Sequence, residues 1–153
     1  MAWWNKPAAA VGPEPVTIQR MQQALESDGY TVGVHESGEY LHAGFNGFNT
    51  IFALENENKM LLVRSWLGSN LDASETRQSL TEWVNERHTQ EYFPKTYLVE
   101  DEDGLQVYSE IYSPCEAGLT EDQLKMVMGV SLETIVSRLS DAQEFLGIQP
   151  ESA

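Results

Sequence analysis

The sequence predicts an α+β fold, one antiparallel sheet with helices packed mainly on one face, and three observations carry that prediction. The apolar spacing alternates between the helical period and the strand period in the order helix, meander, helix, hairpin, helix. Compact turn signals, Ser37-Gly38, Asn46-Gly47 and Asp103-Gly104, separate the strand-like runs and make consecutive strands antiparallel. No strand–helix–strand alternation of the kind that builds a parallel sheet is present.

Residues 1–14 read as a poorly structured leader rich in Ala and Pro, 15–147 as a single domain, and 148–153 as a tail. The tandem Trp3 and Trp4 are unusual in such a leader; they either dock on the domain or a partner, or stay solvated. Pro15 and Thr17 open the first helix, Ile18, Met21 and Leu25 give its apolar stripe, and Gly29 supplies the left-handed stop. From Tyr30 to Leu67 the runs TVGV, YLHAGF, FNTIFAL and MLLVRSWL, with ENENK as a polar turn, make a meander of three or four strands.

Asp72 and Glu75 have capping-box spacing before a helix over about 73–90, whose narrow stripe is Leu80, Trp83 and Val84. His88 lies one turn after Val84 and so flanks that stripe as a half-buried structural histidine. Pro94 disfavours helix at Phe93, so Tyr92 and Phe93 are expected to pack a corner, and Lys95 to open the next strand with its ammonium free. KTYLVE and LQVYSEIY then form a hairpin across the Asp-Gly turn. Thr120 with Gln123 caps a long helix carrying Leu124, Val127, Met128, Leu132, Ile135, Leu139, Phe145 and Leu146. Gly147 and Pro150 stop it, and Gly129 is expected to bend it.

At 153 residues the chain is long enough for one substantial core. Its 9 Lys and Arg stand against 24 Asp and Glu, a formal charge of -15 that disfavours nucleic acid and anionic membranes as partners. The single Cys115 excludes an intramolecular disulfide and multi-thiolate metal sites, and without an adjacent base it reads as an inert thiol after Pro114. The first residues contain no apolar run long enough for a signal peptide or a span, so the expected location is cytoplasmic.

Motifs for chemistry are absent. His35, His42 and His88 match no ligand spacing, and the acidic turns ENENK and EDEDG lack the calcium-loop ligand series. No GxSxG nucleophile and no Gly-rich phosphate cradle occurs. A pair such as His42 and Glu110 is able to meet across the sheet, as in any α+β domain. No catalytic, cofactor-binding or metal residue is therefore assigned, and no cofactor is expected.

The strand pattern offers one surface candidate. On the strand at 60–67, Leu61, Val63 and Leu67 point one way and Leu62, Arg64 and Trp66 the other; the hairpin likewise sets Leu105, Val107 and Ile111 against Tyr108 and Tyr112. If helices cover the aliphatic face, Trp66, Tyr108 and Tyr112 form a partly exposed aromatic patch rimmed by Arg64 and Glu110, of the kind that marks an interface. If instead the last helix or the Trp3-Trp4 leader covers them, they form a second small core.

The helix PVTIQRMQQALESDGY, the Asn85–His88 segment followed by Phe93-Pro94-Lys95-Thr96-Tyr97, LQVYSEIY and GLTEDQLKMVMGVSLETIVSRL together resemble the YbjN family of bacterial, especially actinobacterial, proteins over about Pro15 to Leu146. That family belongs to the type III secretion chaperone-like superfamily. The resemblance implies the element order derived above, no catalytic residues, a regulatory role, and kinship with dimeric chaperones that hold partner segments. The function expected is a non-enzymatic protein-binding, chaperone-like or regulatory module that contacts a partner protein or a second copy of itself. The alternative is a small-molecule sensor or enzyme with a pocket between sheet and helices.

Overall fold

A computed structural model describes residues 12–71 and 73–149, apart from the side chains at 69, 70 and 73–75. The expectations for Trp3 and Trp4, for the Asp72–Glu75 capping box and for Pro150 lie outside the described residues.

Helix α1 (Ile18–Ser27) starts where the Thr17 hydroxyl accepts the Arg20 amide at 3.1 Å, and it buries Met21, Ala24 and Leu25. The meander follows as β1 (Gly33–Val34), β2 (Tyr40–Phe45), β3 (Phe48–Glu55) and β4 (Met60–Leu71). Asn46 and Gly47 both take positive φ, as a tight hairpin turn requires. Helix α2 (Ala73–Gln90) carries the chain to β5 (Lys95–Asp101) and β6 (Gly104–Pro114), and α3 (Glu121–Leu146) closes the fold. The Thr120–Gln123 capping box forms as expected, and α3 runs as one helix through the exposed Gly129 to a left-handed Gly147.

The strands make one antiparallel sheet in the order β1-β2-β3-β4-β6-β5. The second strand of the hairpin lies inside, against β4, and the first forms the edge. Composition explains the choice: β6 sends Leu105, Val107 and Ser109 into the core, whereas β5 begins after Pro94 and ends in Glu100 and Asp101, which suit an edge.

All three helices share one face: α3 lies on β4 and β6, α1 on α3, β2 and β3, and α2 on β5 and β6. Leu61, Val63, Leu67, Leu105 and Val107 of the sheet meet Met128, Leu132, Ile135 and Leu139 of α3 in one buried cluster. The aliphatic face is therefore the covered one.

A polar row crosses this core. Thr96, Ser109, Ser65 and Thr50 stand in register on β5, β6, β4 and β3, all buried. Thr50 and Ser65 share a hydrogen bond of 2.6 Å, and Thr96 and Ser109 one of 3.3 Å. Arg138 of α3, only 2% exposed, donates to Thr96 Oγ1 at 3.0 Å and so ends the row.

At the other end of the molecule Glu14 pairs with Leu119, and Arg20 donates to the carbonyls of Glu14, Pro15 and Leu119. Gly118 permits this approach: its φ is +80°, and a Cβ there would sit 2.7 Å from the Glu14 oxygen.

The corner between α2 and β5 departs from expectation. Tyr92 is 100% exposed and Phe93 61%, so neither packs it. Pro94 is the buried residue instead, and His88 Nε2 accepts the Thr96 amide at 3.1 Å, which fills the joint and turns the two rings outward. His88 is exposed rather than half-buried, yet it serves structure, tying the end of α2 to the start of β5.

Candidate functional site: the uncovered face of the sheet

Strand alternation places every second side chain on the face that no helix among the described residues covers, although Leu62 and Ala53 there are buried. Three registered rows result. Lys95, Glu110, Arg64, Ile51, His42 and Gly33 form the middle one. Tyr97, Tyr108, Trp66 and Asn49 lie on one side of it, and Tyr112, Leu62, Ala53 and Tyr40 on the other. The four residues of the expected patch, Arg64, Trp66, Tyr108 and Tyr112, are thus brought together on adjacent strands.

The aromatic row is a ladder. Trp66 stacks on Tyr108 with centroids 5.5 Å apart and planes at 12°, and Tyr108 on Tyr97 at 5.7 Å and 25°. All three rings are half-buried.

Glu110 is not a rim residue. It is 1% exposed and takes Arg64 Nε at 2.5 Å, Lys95 Nζ at 2.6 Å and the Tyr97 hydroxyl at 2.9 Å. Burial alone would raise its carboxyl, but the bonds from Lys95, Arg64 and Tyr97 outweigh that and hold it below the usual carboxylate range. Burial and the bond to Glu110 push the Tyr97 phenol up to about 12. Burial opposes the charge of Arg64, and Glu110 more than restores it. Lys95, expected to be free, is held: besides Glu110, its ammonium lies 5.2 Å from the Tyr97 ring centre and 5.6 Å from that of Tyr112. Tyr112 accepts from Arg64 at 3.2 Å and donates to Glu55 at 3.3 Å.

His42 and Glu110 share a row but do not meet. Ile51 and Arg64 stand between them, three strand spacings or roughly 14 Å. The His42 ring folds over Gly33, where a Cβ would come within 2.8 Å of it.

Concavities lie both on this face and away from it. A trough of about 440 Å³ runs over Ile51 between Tyr40 and His42 on one bank and Trp66 on the other. A corner cavity of about 420 Å³ is lined by Tyr92, Phe93, Lys95, Glu110, Tyr112 and Glu91, among others. On the opposite side of the molecule a cleft of about 820 Å³ lies between α3 and the Tyr30–Phe45 end, with Met126 and Val130 exposed along it.

Behind the corner cavity, Arg138 lies over Trp83 at 6.0 Å and donates to Glu91 Oε2 at 2.5 Å, while Arg87 reaches Glu91 Oε1 at 3.3 Å. The Arg138 bond, working against burial, holds the Glu91 carboxyl below its ordinary range.

Sequence reasoning passed over Tyr97 and Arg138. Both had a signal: Tyr97 is the outward residue between Lys95 and Val99 on an alternating strand, and Arg138 interrupts an apolar stripe three residues after Ile135. Cys115 is buried, its Sγ facing the Asn58 carbonyl at 3.4 Å, and burial pushes its thiol up, away from reactivity. Among the described residues no three His, Cys, Asp or Glu side chains gather as a metal site would need, and no helix is long and apolar enough to cross a membrane.

Residues 17–142 match the model of a protein family, YbjN, whose description is "Putative bacterial sensory transduction regulator". The fold is similar to that of "YbjN, a putative transcription regulator from E. coli", with a TM-score of 0.76, 14% identity, and 88% of this chain and 96% of that one covered. The HopA1-SchA chaperone-effector complex contains a similar chain at TM-score 0.53, 17% identity and coverage of 85% and 99%. The Yersinia pestis type III secretion chaperone SycH, in complex with a fragment of YscM2, is similar at TM-score 0.50, 15% identity and coverage of 84% and 98%. The architecture is thus the type III secretion chaperone-like fold. No curated protein matches the chain.

Proposed function

The chain belongs to the YbjN family, and on that premise we propose that it is a non-enzymatic regulatory protein that acts by holding a partner protein against the uncovered face of its sheet. One observation carries this reading: the Trp66–Tyr108–Tyr97 ladder stands on the strand face that no helix covers. Aromatic rings joined to a polar network on an open face are the usual composition of an interface centre. The polar groups beside them are bonded to one another, so they position the rings and leave no poised acid, base or nucleophile. The similar chains, one from the HopA1-SchA chaperone-effector complex and the other the chaperone SycH, are each found with a protein partner, and that mode of action is what we carry over. The regulatory part follows the family's description. A single domain over 15–147 suffices for the role, and the unpaired Cys115 suits a reducing, cytoplasmic setting.

The test is affinity capture with the wild type and with the Trp66→Ser/Tyr108→Ser variant, alongside thermal melts of both. We expect a protein retained by the wild type and lost from a variant that still melts cooperatively. Identical captured sets, or a variant that does not fold, overturn the reading.

The cleft beside α3 favours a second reading, a small-molecule sensor, because its volume lies within the range of ligand sites. Thermal-shift screening against metabolites separates the two, since a ligand of the folded state raises the midpoint. Flat shifts count against a sensor.

A further inference from the structure

We infer that the partner segment held on the open face is acidic, and that it places a carboxylate, next to an apolar or aromatic side chain, in the corner cavity bounded by Lys95, Tyr112, Tyr92 and Phe93. This rests on the interface reading above and names the chemistry of the partner.

Charge complementarity carries it. The chain has only 9 basic residues against 24 acidic ones, yet four of the nine, Arg64, Arg87, Lys95 and Arg138, converge on this corner. Among the described residues their ion-pair partners are two carboxylates, Glu91 and Glu110, each bonded to two of them, and a third, Glu55, accepts from Tyr112 at the corner's edge. The corner therefore holds an excess of cations inside a molecule of net charge -15.

Both Glu91 and Glu110 already have their charge matched, each by two cations. Glu110 receives three donors, and Glu91 is taken by Arg138 and Arg87. Lys95 is different: its ammonium has three N–H donors, one of them bonded to Glu110, and its side chain is 62% exposed at the cavity wall. A carboxylate arriving there makes a charge-assisted bond without displacing a protein partner. The acidic turns at Glu57 and at Asp101–Asp103 lie further along their strands, and Glu55, which borders the site, is engaged by the Tyr112 hydroxyl at 3.3 Å.

The apolar half of the match is also present. Tyr92 and Phe93 are exposed, and they line the same cavity as Tyr112. Lys95, Glu110 and Tyr112 belong both to the cavity and to the open face, so one extended segment reaches both.

A library of randomised heptapeptides displayed against the full chain tests this, with selected peptides synthesised and their affinities measured on the wild type, Lys95→Met, Phe93→Ser and Trp66→Ser. The expected result is enrichment of Asp or Glu beside Phe, Tyr, Trp or Leu, with binding weakened about tenfold or more by Lys95→Met. Replacing the peptide's acid by its amide should weaken wild-type binding equally and cost nothing further in Lys95→Met. Peptides that bind without an acid, or indifference to Lys95→Met, overturn the inference. If such peptides still depend on Trp66, the interface reading stands and only the partner chemistry falls. If no peptide binds, or none depends on Trp66, Phe93 or Lys95, both fall.

Discussion

Glu110 shows how a single residue organises the open face. Its ionised form is favoured by the fold, because the donors that surround it lower its carboxyl below the unfolded value. The stability it contributes is therefore complete above the unfolded carboxyl range, near about pH 4.3, and is lost as pH falls through the lower folded value. Glu91 behaves in the same sense through Arg138. We expect Glu110→Gln to lose roughly 1–3 kcal/mol at neutral pH, from leaving Arg64 and Lys95 without their shared acceptor. In melts taken from neutral to acid pH, its midpoint should fall less steeply than that of the wild type; equal slopes would contradict the assignment. Arg138 is the counterpart on the helical side. Arg138→Ala removes its bonds to Thr96 and Glu91 and its packing on Trp83, and about 3 kcal/mol or more should be lost. Arg138→Met, which keeps the packing, should lose less in denaturant titration.

At the level of elements, what sequence makes legible is what local chemistry decides. The caps at Thr17 and Thr120, the Asn46-Gly47 turn and the Asp-Gly turn at Gly104 each act within a few residues, and the helices and hairpins fall where those signals put them. β1 covers only Gly33–Val34 of its TVGV run and pairs with β2 alone. The placement of β6 inside β5 depends on pairing across the whole meander, so beyond the edge-suited Pro94 before β5 and Glu100 and Asp101 within it, it did not announce itself locally. Nor did the registered hydroxyls of Thr50, Ser65, Ser109 and Thr96, which appear as isolated polar letters until the sheet aligns them. The ENENK turn holds a further surprise: Asn56, Glu57 and Asn58 all have φ between 53° and 65°. Asn tolerates that region and Glu does not, so Glu57→Asn should raise stability by up to about 1 kcal/mol in denaturant titration. The 3.9 Å contact from Glu57 to Lys59 is too exposed to offset this.

Across the whole molecule, one side of the sheet is a conventional core and the other is an aromatic and ionic surface. Its aromatic members were readable in sequence from strand alternation at Trp66, Tyr108 and Tyr112. Its organisation was not, because Lys95, Tyr97 and Glu110 become one network only when β5 and β6 are paired. The central claim is that this surface binds protein, and site-specific photo-crosslinking in living cells tests it most directly. A benzoyl-phenylalanine would replace Tyr108 on the open face and, as a control, the exposed Glu82 on α2. The account predicts a discrete adduct, to another protein or to a second copy of the chain, from position 108 and none from position 82. No adduct from 108, or the same adducts from both positions, would contradict it.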